Sequence, residues 1–235
     1  MRAYELSLDV PVRAKQRRPD FRASFVASAL SWVARVVTGI EVADEAGVLA
    51  DTAPMPRVYV ANHSSHADIL LLWAALPEAL RLRTHPVAAA DYWQRRAVRR
   101  YLAENVFRSV LVERQMRDRR WDPIRLMVEA LRRGDSLILF PEGTRGDGTT
   151  VNEFRCGVYH LVQELPTLEV VPVWLENVHR VLPKGAMLPA PLRCAIRFGA
   201  PIRVRSSEDK GAFLVRVRGE VCCLGERCRL RMSAC

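Results

Sequence analysis

Short apolar runs alternate with longer amphipathic segments through the middle of this 235-residue chain. The runs are rich in Val, Ile and Leu, as buried strands are, and the segments between them are long enough for helices. This alternation predicts an α/β fold with a central, mostly parallel sheet flanked by helices. The predicted strands are 57–61, 86–90, 107–112, 136–140, 170–175 and 193–198, and the predicted helices between them are 69–76, 92–102, 121–133 and 157–163.

A separate amphipathic helix is predicted ahead of the sheet. Residues 1–20 read as an irregular polar leader, and over residues 21–38 apolar side chains recur at three- and four-residue steps. The apolar stripe includes Phe21, Phe25, Ala29, Trp32, Val33, Val36 and Ile40, and the opposite face carries Ser24, Ser28, Ser31, Arg35 and Thr38. Such a helix lies either in a membrane interface or against the protein's own core, and the pattern leaves both readings open.

A membrane-spanning helix and a cleaved secretory signal are not expected. The longest charge-free stretch is residues 23–34. It is shorter than the roughly 18 apolar residues that a membrane span needs. The start of the chain also lacks the apolar core of a secretory signal.

The chain is strongly basic. It has 36 Lys and Arg against 26 Asp and Glu, and almost all of the basic residues are Arg. Because Arg donates two parallel hydrogen bonds to phosphate, this charge indicates nucleic acid, an anionic membrane or a phosphorylated ligand as partner. A codon bias towards Arg is the alternative reading. No nucleic-acid-binding motif accompanies the charge, which disfavours nucleic acid.

Cysteine is concentrated at the end of the chain. Four of the six Cys lie in the last fourteen residues, unlike a disulfide framework, so reduced thiols are expected. A zinc site at Cys222, Cys223 and Cys228 is a weak alternative, since no second pair at ligand spacing accompanies them. The last fifteen residues show no clear period, and we expect a loosely ordered tail there.

A polar cluster, NHSSHAD at residues 62–68, follows the strand 57–61 and opens a helix. Side chains at such a strand end lie at the edge of an α/β sheet where ligands bind. If the turn brings His63 and Asp68 together, the carboxylate fixes the imidazole tautomer and raises its basicity, making His63 a candidate general base. A metal site of His63, His66 and Asp68, or simple helix capping, are the alternatives.

A second cluster, FPEGTRG at residues 140–146, follows the strand 136–140. Gly143 and Gly146 permit a ligand to approach the backbone closely. Thr144 and Arg145 are natural hydrogen-bond donors to phosphate. An ordinary turn from strand to loop is the alternative reading.

Together the two clusters resemble the motifs of the glycerolipid acyltransferase family, which includes bacterial 1-acylglycerol-3-phosphate acyltransferases. The family's NHxxxxD motif is matched by Asn62, His63 and Asp68, and its FPEGTR motif by residues 140–145 without departure. Three segments fit as supporting motifs: 110–114, which ends in Arg114; 154–157, a basic-x-Gly segment; and 170–173, an apolar strand with a central Pro. The segment 110–114 departs from the family pattern, with Glu113 where Asp is common.

The resemblance implies transfer of a fatty acyl chain from a thioester to the free hydroxyl of a lysophospholipid. The thioester is carried by coenzyme A or acyl carrier protein, and no metal or other cofactor is needed. His63 is the expected base, oriented by Asp68. The residues expected to bind the acceptor's phosphate and glycerol are Arg114, Glu142, Gly143, Thr144 and Arg145.

The expected acceptor is 1-acylglycerol-3-phosphate, which gives phosphatidic acid. Lyso-ornithine lipid is the alternative acceptor. A non-catalytic protein that binds anionic lipid is the alternative of another class.

The resemblance also implies a membrane partner, because the acceptor and product are amphiphiles. We expect the helix 21–38 to lie in the interface. The segment 91–133 has twelve Arg and six acidic residues, and we expect it to face anionic lipid or the acyl donor. The protein is then peripheral or monotopic on the cytoplasmic face of the membrane. The predicted organisation is a leader and membrane-association helix (1–40), an acyltransferase domain (41–205) and a C-terminal tail (206–235).

Overall fold

The structure is a computed structural model that describes residues 21–51, 55–65, 67–113, 122–148, 150–178 and 194–233. The predicted leader, residues 1–20, lies outside the described residues. The helices are α1 (Phe21–Thr38), α2 (Asp68–Ala75), α3 (Glu78–Arg81), α4 (Ala90–Trp93), α5 (Ala97–Tyr101, continued by a π-helical turn over Leu102–Val106), α6 (Pro123–Arg132), α7 (Gly157–Glu164) and α8 (Lys210–Ser233). The strands are β1 (Glu41–Asp44), β2 (Arg57–Ala61), β3 (Thr84–Ala89), β4 (Val110–Val112), β5 (Ser136–Leu139), β6 (Glu169–Glu176) and β7 (Ala195–Phe198).

The strands form one sheet in the order β1-β7-β6-β2-β5-β3-β4. The five strands from β6 to β4 are parallel, whereas β7 runs antiparallel to β6 and pairs with β1 in parallel. The predicted α/β fold with a mostly parallel sheet is therefore confirmed. Because β2 lies between β5 and β6, the loops that follow β2 and β5 leave the sheet side by side.

The two faces of the sheet bury two apolar clusters. Neighbouring residues of β2 alternate between them: Tyr59 and Ala61 belong to the cluster under α1 and α2, and Val58 and Val60 to the cluster under α6, α7 and α8. This is the two-residue period of a strand that is covered on both faces. Helices on both faces explain why the strands read as continuous apolar runs.

Three differences from the sequence prediction lie in the first half of the chain. No strand is predicted over β1, because its residues are partly exposed and show no apolar alternation. The predicted basic helix 92–102 is divided into α4 and α5, since Arg96 has an extended backbone conformation and Trp93 packs edge-on against Phe107. The strand predicted from residue 107 begins at Val110, because Arg108 has a positive φ of 51°.

The apolar stripe of α1 faces away from the protein. Phe21 is 85% exposed and Trp32 is 66% exposed, and Phe25, Val33, Val36 and Val37 are also exposed. The buried residues of the helix are small or hydroxylated: Ala23, Ser31, Ala34 and Thr38. Small side chains permit α1 to lie close against α2, and the larger apolar side chains are left on the outer face.

Two arginines fasten α1 to the carboxyl end of α2. Arg35 donates to the carbonyl oxygens of Ala74 (2.8 Å), Ala75 (3.3 Å) and Leu76 (3.4 Å). Arg81 donates to the Ser31 hydroxyl at 2.9 Å and to the Leu76 carbonyl at 3.4 Å. These carbonyls have no partner within the helix, and the carboxyl end of a helix favours positive charge.

The C-terminal tail is a helix, so the expectation of loose order there is wrong. α8 packs on β6, β7 and α7, and its buried side chains are Phe213, Val217, Val221, Leu224 and Cys228. These positions follow a helical period that the surrounding arginines and cysteines hide in the sequence. Gly225 fits against Trp174, where a Cβ atom would approach the ring to 2.7 Å.

The described structure does not support the alternative of a zinc site at the terminal cysteines. Cys222, Cys223 and Cys228 are free, and burial raises the pKa of Cys222 and Cys228 above the ordinary thiol value. Within the described ranges, no three His, Cys, Asp or Glu side chains are grouped so that they could hold a metal ion.

The packing of α8 predicts a large loss of stability for Leu224→Ala. Leu224 is fully buried, and removing its three outer carbons should lower the free energy of unfolding by about 2–5 kcal/mol. Val215→Ala on the same helix is the matched control, because Val215 is 70% exposed and its truncation should change stability by less than about 0.5 kcal/mol. Urea unfolding followed by circular dichroism measures both. Equal, small effects of the two substitutions would contradict the packing of this helix.

Candidate active site

His63 and Asp68 lie in contact at the carboxyl end of β2. The His63 Nδ1 atom lies 2.8 Å from Asp68 Oδ2. The same oxygen accepts the backbone N–H groups of Ser64 (2.6 Å) and Ser65 (2.8 Å). The loop between β2 and α2 thus surrounds the carboxylate of Asp68. Asp68 is the first residue of α2 and has no solvent exposure.

The hydrogen bonds decide which nitrogen of His63 can act as a base. An oxygen that already accepts two backbone N–H groups accepts from the imidazole as well, so Nδ1 carries the proton and Nε2 keeps its lone pair. The Phe140 ring stacks on the imidazole, with centroids 4.5 Å apart, and holds the plane of the ring. The predicted pairing of His63 with Asp68 is therefore present, in a geometry suited to taking up a proton at Nε2.

Asn62 anchors the same loop to the sheet. Its side-chain amide donates to the Leu175 carbonyl at 3.0 Å, and its carbonyl accepts the Leu175 N–H at 2.8 Å. Asn62 thereby continues the pairing of β2 with β6 by one residue. The first residue of the NHxxxxD motif fixes where His63 leaves the sheet.

Glu142 connects the two motifs. One carboxylate oxygen accepts the His63 backbone N–H at 2.7 Å, and the other accepts the backbone N–H and the side-chain amide of Asn152, at 2.9 and 3.0 Å. Gly146 N–H donates to the His63 carbonyl at 2.8 Å. The predicted role of Glu142 in binding the acceptor stays a prediction. The structure buries Glu142 and engages both of its oxygens with the protein, where one of them holds the backbone of His63.

The other residues of the FPEGTR loop remain accessible. Thr144 and Arg145 are exposed directly after Gly143, which has a positive φ of 72°. The Arg155 side chain covers Gly143 so closely that a Cβ atom there would lie 2.5 Å from Arg155 Nε. The positive φ favours glycine at this position, and the Arg155 side chain would have to move to admit a larger residue.

Arg155 lies beside the FPEGTR loop but is not among the residues that the sequence predicts for the site. Its backbone N–H donates to the Pro141 carbonyl at 2.9 Å, which places its exposed guanidinium over the FPEGTR loop. The signal that could have found it is the basic-x-Gly segment 154–157. Arg114, predicted to bind substrate, and His66, the third residue of the metal alternative, lie outside the described residues.

A buried cysteine close to the site does not have the properties of a nucleophile. Burial of Cys194, together with the negative charges of Asp68 and Glu176, raises the pKa of its thiol to about 11. A thiol with this pKa is protonated at neutral pH. The His63–Asp68 pair is therefore the stronger candidate for the chemistry.

An imidazole held by a carboxylate lies beside an arginine-bearing loop at the edge of a mostly parallel sheet. This is the arrangement expected from the resemblance to acyltransferases. The family model described as Acyltransferase matches residues 37–176, and the chain belongs to that family. The match includes both motifs that carry the resemblance.

Curated relatives are named for two acceptors. The chain is 25% identical over 155 residues to a 1-acyl-sn-glycerol-3-phosphate acyltransferase of Cocos nucifera (65% of this chain, 48% of the relative). It is 30% identical over 159 residues to a lyso-ornithine lipid O-acyltransferase of Pseudomonas aeruginosa (65% and 56%). It is 25% identical over 231 residues to another of that name from Brucella abortus (85% and 78%). The chain spans about half the length of the first two relatives.

A solved structure shares the fold. The crystal structure of the 1-acyl-sn-glycerophosphate acyltransferase PlsC from Thermotoga maritima superposes with a TM-score of 0.65, covering 88% of this chain and 81% of that chain. The sequence identity is 19%, so the likeness concerns the fold alone.

Proposed function

We propose that this protein is an O-acyltransferase that moves a fatty acyl chain from a thioester to the free hydroxyl of a lysolipid. The observation that carries the proposal is the His63–Asp68 pair, held between the two family motifs with Nε2 as its free nitrogen. This is the arrangement of a general base that removes a proton from a hydroxyl.

The residues suggest a direct transfer. Nε2 of His63 takes the proton as the acceptor oxygen forms its bond to the thioester carbonyl carbon. The bond from carbon to sulfur then breaks, and the leaving thiolate takes up the proton from the imidazolium. Asp68 stabilises the imidazolium between these steps. The acceptor is itself the nucleophile, so no acyl-enzyme is needed.

The exposed arginines favour an acidic acceptor headgroup. Arg145 and Arg155 flank Gly143, and Thr144 adds a hydroxyl on the same loop. Two guanidinium groups and a backbone open to close approach suit a phosphate. We therefore propose 1-acylglycerol-3-phosphate as the acceptor, giving phosphatidic acid, with Arg114 also on the phosphate as the family resemblance implies.

Lyso-ornithine lipid is the second candidate acceptor. Two bacterial relatives carry the name of an acyltransferase for that lipid. Coenzyme A and acyl carrier protein are both candidate donors, because each presents the same thioester.

We also propose that the protein works as a peripheral or monotopic protein on the cytoplasmic face of a membrane. In the described part of the chain, no helix is long and apolar enough to span a bilayer. The outward apolar stripe of α1 suits partial insertion into the interface. α1 contacts the π-helical turn after α5, and α5 presents an exposed Val98 among the arginines at 95, 96 and 100. These arginines suit anionic headgroups.

A panel of acceptors tests the proposed function. Purified protein is incubated with lysophosphatidic acid, lyso-ornithine lipid and neutral lysophosphatidylcholine, each with acyl-CoA and with acyl-acyl carrier protein, and products are identified by mass. We expect acylation of lysophosphatidic acid. Exclusive acylation of lyso-ornithine lipid would establish the second candidate. No product with any pair, despite binding to acidic lipid, would support the non-catalytic alternative and refute the enzyme.

His63→Ala should abolish acyl transfer without unfolding the protein. The substitution removes the base, and loss of general-base catalysis together with positioning should lower kcat by about 10³-fold or more. Thermal unfolding of the variant controls for folding. Turnover within tenfold of the original protein in a folded variant would contradict the role of His63.

Arg145→Ala should weaken binding of an acidic acceptor. Loss of one charge-assisted hydrogen bond to phosphate should raise the KM for lysophosphatidic acid by about 10- to 100-fold. The KM for the acyl donor is the internal control and should stay unchanged. An unchanged acceptor KM would remove Arg145 from the headgroup site.

The double substitution Phe25→Ser with Trp32→Ser should release the protein from membranes. Both side chains are exposed, so the fold should persist while partitioning onto vesicles of phosphatidylglycerol and phosphatidylcholine falls by about tenfold or more. Val215→Ser, an exposed apolar residue on α8, is the matched control. Sedimentation with vesicles measures all three proteins, and unchanged binding of the double variant would refute the role of α1.

A further inference from the structure

A chain of hydrogen bonds runs from the C-terminal helix to His63. Arg218 of α8 donates through Nε (3.0 Å) and Nη2 (2.5 Å) to the carbonyl of Val151. The next residue, Asn152, donates through its backbone and its side chain to Glu142. Glu142 accepts the backbone N–H of His63. The candidate base is thus fixed by a segment that belongs to neither family motif.

Each hydrogen bond of this chain fixes the orientation of the next group along it. The Val151 side chain is buried in the cluster under α8, and Arg218 binds its carbonyl from the same helix. This fixes the peptide group that carries the Asn152 N–H. Two donors on one oxygen orient the Glu142 carboxylate and leave its other oxygen for His63. The Gly146 N–H binds the His63 carbonyl, so the backbone of His63 is held on both sides.

The donors on Glu142 also satisfy its buried oxygen atoms. Glu142 is buried, and burying a polar group costs free energy unless it is hydrogen-bonded. Three N–H groups donate to it here: the backbone N–H of His63, and the backbone and side-chain N–H of Asn152. The Asn152 side chain is itself exposed, so its contribution is directed at Glu142 and not at the apolar core.

We propose that Asn152 and Arg218 are positioning residues for the reaction: through Glu142 they hold His63 where Nε2 meets the acceptor hydroxyl. The inference builds on the proposed acyl transfer. It makes α8 part of the working site, although α8 carries none of the family motifs. Removing either donor leaves acceptor-binding residues in place, so kcat falls and the KM does not.

Asn152→Ala and Asn152→Asp test the first residue, with Glu153→Gln as matched control, since Glu153 is the exposed neighbour. We expect kcat to fall by about tenfold in Asn152→Ala. A misplacement of about 1 Å can cost about 100-fold, and the loss of one orienting donor should displace His63 by less than that. The KM for lysophosphatidic acid should stay unchanged, and circular dichroism should show that the variant is folded at the assay temperature. Glu153→Gln should keep the original kcat.

Asn152→Asp should also change the pH dependence of kcat, which a purely structural role of Asn152 would not do. A second carboxyl beside Glu142 repels it when ionised and donates a hydrogen bond to it when protonated. The ratio of variant kcat to original kcat should therefore fall as pH rises. A ratio that is flat with pH would contradict the contact with Glu142.

Arg218→Gln tests the contribution of α8, with Arg227→Gln as control. Arg227 lies on the same helix and pairs with Glu45 at 3.1 Å. We expect kcat to fall severalfold only for Arg218→Gln. Original kcat in both Arg218→Gln and Asn152→Ala, or losses matched by their controls, would overturn the proposal.

Hydrogen–deuterium exchange separates this inference from the proposed function. The backbone amide of His63 should exchange faster in Asn152→Ala than in the original protein or in Glu153→Gln, because its acceptor is less well held. This readout needs no turnover. If the protein transfers no acyl chain but exchange rises as expected, the acyl transfer is refuted and the hydrogen-bonded chain is confirmed. Unchanged exchange would overturn the chain even in an active enzyme.

Discussion

Parallel pairing of β2 with β5 is the interaction on which the rest of the site depends. Val60 pairs with Leu139, so the two strands end at the same edge of the sheet and their loops leave side by side. The loop after β2 carries His63, and the loop after β5 carries Glu142. Their bond joins residues 79 positions apart in the chain. The geometry of the candidate base is therefore a consequence of the sheet and not of either motif alone.

The helix α2 connects α1 to the candidate active site. α2 begins at Asp68, which holds His63, and ends at the carbonyls to which Arg35 and Arg81 bind. The helix α1 is fastened there with its small side chains inward and its large apolar side chains outward. The helix α2 thus joins the candidate base at its amino end to α1 at its carboxyl end, and α1 exposes its apolar face.

The sequence predicts correctly those elements in which the local pattern of apolar residues matches their burial. Strands buried on both faces have continuous apolar runs, and β2, β5 and β6 were predicted within two residues. β1 was missed because an exposed edge strand needs no such run. α8 was missed because its buried positions, such as Leu224, are spaced by three and four residues among arginines and cysteines.

The sequence by itself determined the class of fold, the family and the candidate residues for the chemistry, because motif residues and apolar periods are local properties of the chain. Only the tertiary structure decided which of these residues contact one another and which way they face. It joined Glu142 to the backbone of His63, turned the apolar stripe of α1 outward, and connected Arg218 through Val151 and Asn152 to Glu142. These outcomes depend on which distant segments meet, and hydrogen bonds between such segments leave no mark in the local pattern of either one.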